Sequence, residues 1–315
     1  MTQSFGFLAL VAVAYVLLGL GVENSPPSSC EGCSALSAGA REWQVWKVVA
    51  ATGQAAALAL LVGGGVKLYQ FQRDEKPYDD GVAGKVRGYA IAAAGFVLGV
   101  IVLIGQIVSE KRAWATGLEP MDQRLGAVAA IGVACAFPWV ALTWLVHRST
   151  GLVRPASDDD VDQGITRLLV VWDAIMACAL AFAVFVVIAL LPTGALRNLW
   201  ISQDLADTDD DAKKLAESFP TTDVLLYGAF FALLVAVLVI PMLLSWRAAA
   251  RRLVDRAYPI NKANSADKTQ VENRSQLESV LNLDVTLIRN PLAVLSILTP
   301  LVTATLAAFL PELGK

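Results

Sequence analysis

The chain has 315 residues, of which 56% are hydrophobic and 17% are charged, and its net charge at pH 7 is −3. Soluble domains carry about 25% charged residues, so this composition excludes an ordinary soluble chain, and the lack of a basic excess argues against a nucleic-acid partner. A single histidine, His147, excludes a bis-histidine haem and most histidine-rich metal sites, and zinc is not predicted because the one C-x-x-C pair has no second Cys or His pair to complete four ligands. Neither a metal nor a cofactor is therefore predicted.

The hydrophobic residues fall into blocks of about 20, the length that crosses a bilayer core as a helix. Six blocks are predicted as transmembrane helices: residues 5–22, 45–68, 88–108, 125–146, 168–191 and 224–244. The first is predicted to be a retained helix and not a signal peptide, because no lysine or arginine precedes it and no clear A-x-A site follows. A seventh block, 291–310, either spans as a kinked helix or folds back as a re-entrant segment. The predicted fold is an all-α, polytopic membrane bundle.

An arginine cluster follows the sixth span and sets the orientation of the bundle: Arg247, Arg251, Arg252 and Arg256. Placing this cluster on the cytoplasmic side puts about twice as many lysines and arginines inside as outside, as the positive-inside rule requires. The sequence therefore predicts a multi-pass protein of a bacterial inner (plasma) membrane with a cytoplasmic N-terminus. Three regions are predicted: a membrane bundle at 1–246, a basic cytoplasmic segment at 247–290 and a hydrophobic C-terminal span at 291–315.

The basic segment is expected to contain two helical parts. Arg247 to Arg256 should prolong the sixth helix beyond the lipid, and Ser275-Gln-Leu-Glu278 has the pattern of a capping box that starts a short amphipathic helix. This helix either lies on the membrane surface, docks under the bundle or binds a partner. The arginines are expected to contact anionic lipids, and the segment as a whole is a candidate surface for a cytoplasmic protein partner.

A few polar residues inside the spans are candidates for a pore or proton site. Asp173 is the only acid well inside a predicted span, and an intramembrane carboxylate is a functional hypothesis by default. The alternative is an interfacial carboxylate that reaches water, Arg148 or Arg167. Gln54 and Gln106, in the outer halves of the second and third spans, either hydrogen-bond between helices or line the same pore.

Prolines and glycines indicate where the helices bend or approach closely. Helix breaks are predicted at three prolines, because proline removes a backbone hydrogen bond: Pro138, Pro241 and Pro300. Gly95 and Gly99 form a G-x-x-x-G pattern, which is typical of close helix packing. The run Gly63-Gly64-Gly65 predicts a hinge or a helix end, because each glycine weakens a helix.

The cysteines and an acidic run are the candidates for redox and metal chemistry. Cys30 and Cys33 fall in a predicted extracytoplasmic loop, where a structural disulfide is favoured over free thiols or a catalytic or metal-binding pair. Cys135 and Cys178 are predicted to be buried small hydrophobes. The acidic run at 204–211 lacks the glycine and glutamate of an EF-hand and is predicted to lead into a surface helix.

No nucleophile, phosphate-binding or metalloprotease motif is present, so an enzyme is not predicted. Two functions stay open. A channel- or permease-like protein would move a small solute or ion through the bundle, with a homo-oligomer completing the pore. A non-transporting anchor or sensor subunit would present residues 247–290 to a cytoplasmic partner. A water-filled path to Asp173 or Gln106 would favour the first function, and a sealed bundle the second.

Overall fold

The computed structural model describes residues 36–75, 119–152, 161–204, 221–259, 268–281, 283 and 298–306, and all secondary structure within them is helical. Five helices are bounded: α1 Leu36–Glu75, α2 Glu119–Leu152, α3 Val161–Asp204, α4 Thr221–Ala257 and α5 Lys268–Val280. Residues 298–306 are also helical. The prediction of an all-α fold is confirmed.

Four of these helices are long and apolar enough to cross a membrane, over Gln44–Asp74, Val128–Thr150, Val161–Asn198 and Val224–Ala257. They coincide with the second, fourth, fifth and sixth predicted spans, so the chain has the helices of a membrane protein. Several predictions lie outside the described residues: the spans at 5–22 and 88–108, the residues Gln106, Gly95, Gly99, Cys30 and Cys33, and the surface helix after the acidic run.

Each of the four long helices contains an interval without Asp, Glu, Lys or Arg. These intervals are residues 48–66, 125–147, 174–196 and 224–246. At 1.5 Å per residue they are about 28 to 35 Å long, which matches a hydrocarbon core of about 30 Å. The helices themselves have 34 to 44 residues, so each is longer than the hydrocarbon it can cross.

Contacts between α1 and α2 show that these two helices run parallel. Gln54 of α1 is hydrogen-bonded to Val128, and Leu60, farther along α1, is hydrogen-bonded to Trp139, farther along α2. The predicted third span at 88–108 lies between them in sequence, and a parallel pair is what that prediction requires.

The central helix, α3, packs against α1, α2 and α4 and runs antiparallel to α1 and α4. The contacts that fix these directions are Lys67 with Asp173 and Gly53 with Ile188 toward α1, and Gly164 with Leu253 and Leu168 with Trp246 toward α4. Helices α1, α2 and α4 therefore share one direction and α3 has the other. This alternation agrees with the predicted order, in which the second, fourth and sixth spans run the same way.

The three consecutive glycines lie inside α1, which continues through them to Glu75, so the predicted helix end is wrong. A Cβ on Gly64 would lie 2.7 Å from Nε1 of Trp139 and 2.9 Å from Cγ of Pro138. Gly64 is therefore the point of close approach between α1 and α2. Gly63 and Gly65, in contrast, face open space. The neighbouring helix supports α1 here, which is why the weak intrinsic propensity of glycine does not end the helix.

The prolines predicted as helix breaks are accommodated within helices. Both α2 and α4 continue without interruption through Pro138 and Pro241, and α3 likewise contains Pro192. A proline removes one hydrogen bond from a long ladder, and packing against neighbouring helices holds the remaining turns in place. Pro138 and Pro241 therefore lie inside continuous helices and do not end them.

The helical residues 298–306 pack against the first turns of α4. A Cβ on Gly228 would collide with the Cβ of Ala304 and would lie 3.1 Å from the carbonyl oxygen of Pro300. Thr303 and Ala304 are buried, whereas Leu301 and Val302 are exposed. This helical piece is shorter than a span, and the choice between a kinked seventh span and a re-entrant segment stays a prediction.

The core between the helices is apolar and contains both described cysteines. Cys135 and Cys178 are buried free thiols, and Cys178 belongs to the same cluster of packed side chains as Trp139, Leu142 and Ile175. Their interpretation as small hydrophobes is confirmed.

Helix α5 begins at Lys268, well before the predicted capping box, so the prediction that it begins at Ser275 is wrong. Ser275 is exposed in the interior of the helix, and Glu278 forms an ion pair with Arg274 one turn earlier. The capping-box spacing here coincides with an (i, i+4) pair, which stabilises a helix interior. No residue of α5 is buried, but Leu281, directly after it, is fully buried in the main core.

Candidate functional site

Polar and aromatic side chains of all four long helices meet at one end of the bundle. We call this end the basic end. Here the uncharged intervals of the four long helices are bordered by charged residues: Lys67, Arg148, Asp173 and Arg247. Two cross-helix contacts between side chains join the helices near these positions in pairs: Lys67 with Asp173, and Thr150 with Ser245. The sequence predicts that this end is cytoplasmic.

An ion pair joins α1 to α3 at the basic end. Nζ of Lys67 lies 2.6 Å from Oδ2 of Asp173, and the two side chains are 38% and 70% exposed. The partner found for Asp173 is thus Lys67, which was not among the residues expected from the sequence. The sequence contains a signal for the true pair, because both residues lie a few residues inside the same end of antiparallel spans. That signal identifies the pair only once α1 and α3 are known to be neighbours.

The carboxylate of Asp173 points away from the core. Leu169, one turn before it, and Leu180, two turns after it, are both exposed on the same face of α3. Apolar side chains on the outward face of a membrane helix contact lipid. Asp173 is thus placed on the outward face of the bundle and not among the buried side chains of the four described helices.

Gln54, the other candidate pore residue in the described helices, is buried, and its Oε1 has no hydrogen-bond partner among the described residues. Its Nε2 donates to the carbonyl oxygen of Val128 at 3.2 Å, which is the interhelical hydrogen bond that was one of the two alternatives. Thirteen residues separate Gln54 from Lys67 along α1, or about 20 Å. The structure therefore does not bring Gln54 and Asp173 together.

Buried tryptophans tie the helices together through their indole N–H groups. Nε1 of Trp246 donates to the carbonyl oxygen of Leu168 at 2.8 Å, joining α4 to α3. Nε1 of Trp139 donates to the carbonyl oxygen of Leu60 at the same distance, joining α2 to α1. Trp246 also packs against Trp172, with ring centroids 4.4 Å apart. These contacts satisfy polar atoms that would otherwise be costly in an apolar core.

A pair of hydroxyl groups joins α2 to α4. Oγ1 of Thr150 donates to the carbonyl oxygen of His147 at 2.7 Å and lies 2.6 Å from Oγ of Ser245. Because a threonine hydroxyl has one hydrogen, Ser245 is the donor in the cross-helix hydrogen bond.

Beyond the basic end, α5 folds back along the last turns of α4. Arg274 of α5 binds the end of α4 through Asp255, at 2.6 Å, and the carbonyl oxygen of Tyr258, at 3.2 Å. It also pairs with Glu278 in its own helix. The hydrogen bond to Asp255 is the main cause that raises the pKa of Arg274 above its usual value. The guanidinium group thus stays charged while it holds the two helices together.

A second arginine joins the chain after α5 to α4. Nη2 of Arg247 donates to the carbonyl oxygen of Leu283 at 2.6 Å. The contacts of Arg274 and Arg247 run in opposite order along α4 and the returning chain, so the two segments are antiparallel. We call α4 from Arg247 onward, α5 and residues 281 and 283 the basic hairpin. The sequence predicted the helical extension of α4 and its arginines, but it contained no signal for the fold-back.

The four arginines of the predicted basic flank therefore have two roles. Arg247 is half-buried and holds the basic hairpin closed, whereas Arg251, Arg252 and Arg256 are exposed. Arg252 also donates from Nε to the carbonyl oxygen of Ala248, one turn earlier.

Within the described ranges, no cluster of three or more His, Cys, Asp or Glu side chains is close enough to hold a metal ion. Comparisons of the chain with family models, with curated proteins and with solved structures give no match.

Proposed function

We propose that this chain is a non-transporting membrane anchor that presents its basic hairpin to a cytoplasmic protein partner. The observation that supports this function is the pair of arginine clamps, Arg247 with Leu283 and Arg274 with Asp255. Arg274 joins α5 to α4, and Arg247 joins the chain directly after α5 to the same helix. The exposed surface of α5 therefore has a defined position relative to the membrane. A rigid surface loses less entropy on binding than a flexible tail.

The placement of the candidate pore residues makes the channel- or permease-like function the weaker proposal. Asp173 is exposed and paired with Lys67, and Gln54 is hydrogen-bonded between helices. They lie at different depths, so they do not form one polar path through the described helices. A carboxylate that selects or transfers ions is expected to face the bundle interior or a water-filled cavity.

The charge of the basic hairpin indicates what kind of partner it fits. Arg251 and Arg252 are exposed, while Asp255, which follows them on α4, is engaged by Arg274. An acidic protein surface is the complementary partner, because planar guanidinium groups bind carboxylates through two parallel hydrogen bonds.

The anchor function is tested by photo-crosslinking from the exposed side of α5. A photoreactive residue at Gln276 in the full-length protein, expressed in cells, should give a discrete adduct with one protein. The adduct should be lost in the double variant Arg251→Glu, Arg252→Glu. The matched control is Arg73→Glu with the same crosslinker, because Arg73 is exposed on α1 and lies outside the hairpin. Absence of a protein adduct, or equal loss in both variants, contradicts the proposal.

Flux measurements test the rival function directly. Purified protein in proteoliposomes should not raise the permeability to protons, small ions or glycerol above that of empty liposomes. If flux is observed and Asp173→Asn abolishes it, the anchor proposal is wrong and Asp173 is the working residue of a transporter.

A further inference from the structure

The ion pair between Lys67 and Asp173 lies where the hydrocarbon ends on the outward surface of the bundle. Lys67 directly follows the uncharged interval of α1, and Asp173 directly precedes that of the antiparallel α3. The indole of Trp139 contacts α1 between Leu60 and Gly64. Exposed Trp144 lies five residues farther along α2. Because α1 and α2 are parallel, Trp144 lies close to the level of Lys67. Exposed tryptophans are typical of the boundary between hydrocarbon and headgroups.

The surroundings of this pair fit a lipid molecule. Gly63 lies one turn from Lys67 toward the hydrocarbon, and a Cβ built on it would meet nothing within 4 Å. Because residues four apart lie on the same face of a helix, the missing side chain leaves a gap in the surface of α1 next to Lys67, called the notch below. Leu169 and Leu180 flank Asp173 on the exposed face of α3. An acyl chain can thus lie along apolar surface while its headgroup reaches the ion pair.

Among the described residues, the pair also leaves hydrogen-bonding capacity of both signs unused. An ammonium group has three donors and a carboxylate has about four acceptor positions, and the contact between Lys67 and Asp173 uses one of each. The remaining donors fit a phosphate, and the remaining acceptors fit an ammonium group that carries hydrogens. Because the pair has no net charge, it favours a zwitterionic headgroup over an anionic one.

We propose that Lys67, Asp173 and the notch at Gly63 form a binding site for one phosphatidylethanolamine molecule of the leaflet at the basic end. Lys67 contacts the phosphate and Asp173 accepts hydrogen bonds from the primary ammonium group. Phosphatidylcholine has the same charges but a trimethylated nitrogen without hydrogens, so it cannot make the second contact. This site is separate from the basic hairpin and does not depend on the proposed anchor function.

The test is lipid retention by the full-length protein. The protein is extracted from vesicles with equal amounts of phosphatidylethanolamine, phosphatidylcholine and phosphatidylglycerol, and the bound lipids are counted by native mass spectrometry. The wild type should retain phosphatidylethanolamine about threefold over phosphatidylcholine, as expected for one partly exposed charged contact. Equal retention of these two lipids overturns the proposal.

Substitution of the carboxylate should change the selectivity in a defined direction. Asp173→Asn leaves the ammonium of Lys67 as a net positive site, so the preference should move from phosphatidylethanolamine to phosphatidylglycerol. The matched control is Asp74→Asn, which removes an exposed carboxylate from the last turns of α1 and should leave the retention ratio unchanged. An equal change in both variants shows a general charge effect and contradicts the site.

A second pair of variants keeps the ion pair intact and therefore tests the site even if Asp173→Asn misfolds. Gly63→Leu fills the notch and should reduce retention of phosphatidylethanolamine about threefold, by loss of the packed acyl chain. Gly65→Leu adds the same side chain where a Cβ also meets nothing within 4 Å, but on the opposite side of α1 from Lys67. Equal retention by these two variants overturns the notch as part of the site.

Discussion

The substitution Gly64→Ala tests how α1 and α2 hold together. The new Cβ would lie 2.7 Å from Nε1 of Trp139 and 2.9 Å from Cγ of Pro138, closer than any ordinary contact. Either the helices separate or the indole rotates away and gives up its 2.8 Å hydrogen bond to Leu60. Overpacking of this kind costs about 1–3 kcal/mol, and loss of the hydrogen bond about 1 kcal/mol. The higher helix propensity of alanine returns about 1 kcal/mol, so we expect a net loss of roughly 1–3 kcal/mol.

The neighbouring glycines provide the controls for this measurement. Gly63→Ala and Gly65→Ala add a methyl group into open space, so only the propensity gain of up to about 1 kcal/mol remains. Denaturant unfolding of the purified protein in mixed micelles, followed by far-UV circular dichroism, compares the three variants. If all three change the free energy of unfolding equally, the glycine run acts as a flexible segment and the close-approach interpretation of Gly64 is wrong.

Three further predictions concern other contacts. Arg274→Gln should release α5 from α4, so amide hydrogen exchange in 268–281 should accelerate while exchange in the long helices stays unchanged; equal protection would show that the ion pairs do not hold the basic hairpin. Thr150→Val should cost about 1 kcal/mol of unfolding free energy because the Ser245 hydroxyl loses its acceptor, Ser245→Ala should cost less because Thr150 still donates to His147, and the double variant should cost less than the sum; strict additivity would contradict the cross-helix hydrogen bond. Gly228→Leu should displace residues 298–306 from α4, so a cysteine placed at the buried position Thr303 should become reactive to a maleimide; no change in labelling would contradict this packing.

The membrane helices were predictable because their signal is local. An uncharged interval of about 20 residues has few alternatives to hydrocarbon, and the four described spans sit where the sequence predicts them. The arginines that prolong α4 were likewise predictable from their position after the sixth span. The start of α5 was not, because Ser275 and Glu278 fit a capping box and a helix interior equally well, and the ion pair with Arg274 favours the interior.

The candidate site was less predictable, because its contacts join residues that are far apart in sequence. Asp173 could be singled out as a carboxylate in a span, but its partner Lys67 is 106 residues away. The fold-back that connects Arg247 to Leu283 depends on buried contacts after α5, and no local pattern encodes it.

The sequence by itself determined the all-α class, the location of the apolar spans and their charged ends, because the cost of a charge in hydrocarbon acts on each segment separately. The tertiary structure decided which helices are neighbours, which of three adjacent glycines is buried, and whether a polar residue faces the core or the lipid. Those outcomes depend on side-chain shape and on the direction of the neighbouring helix, and both arise only when the packed helices are in place.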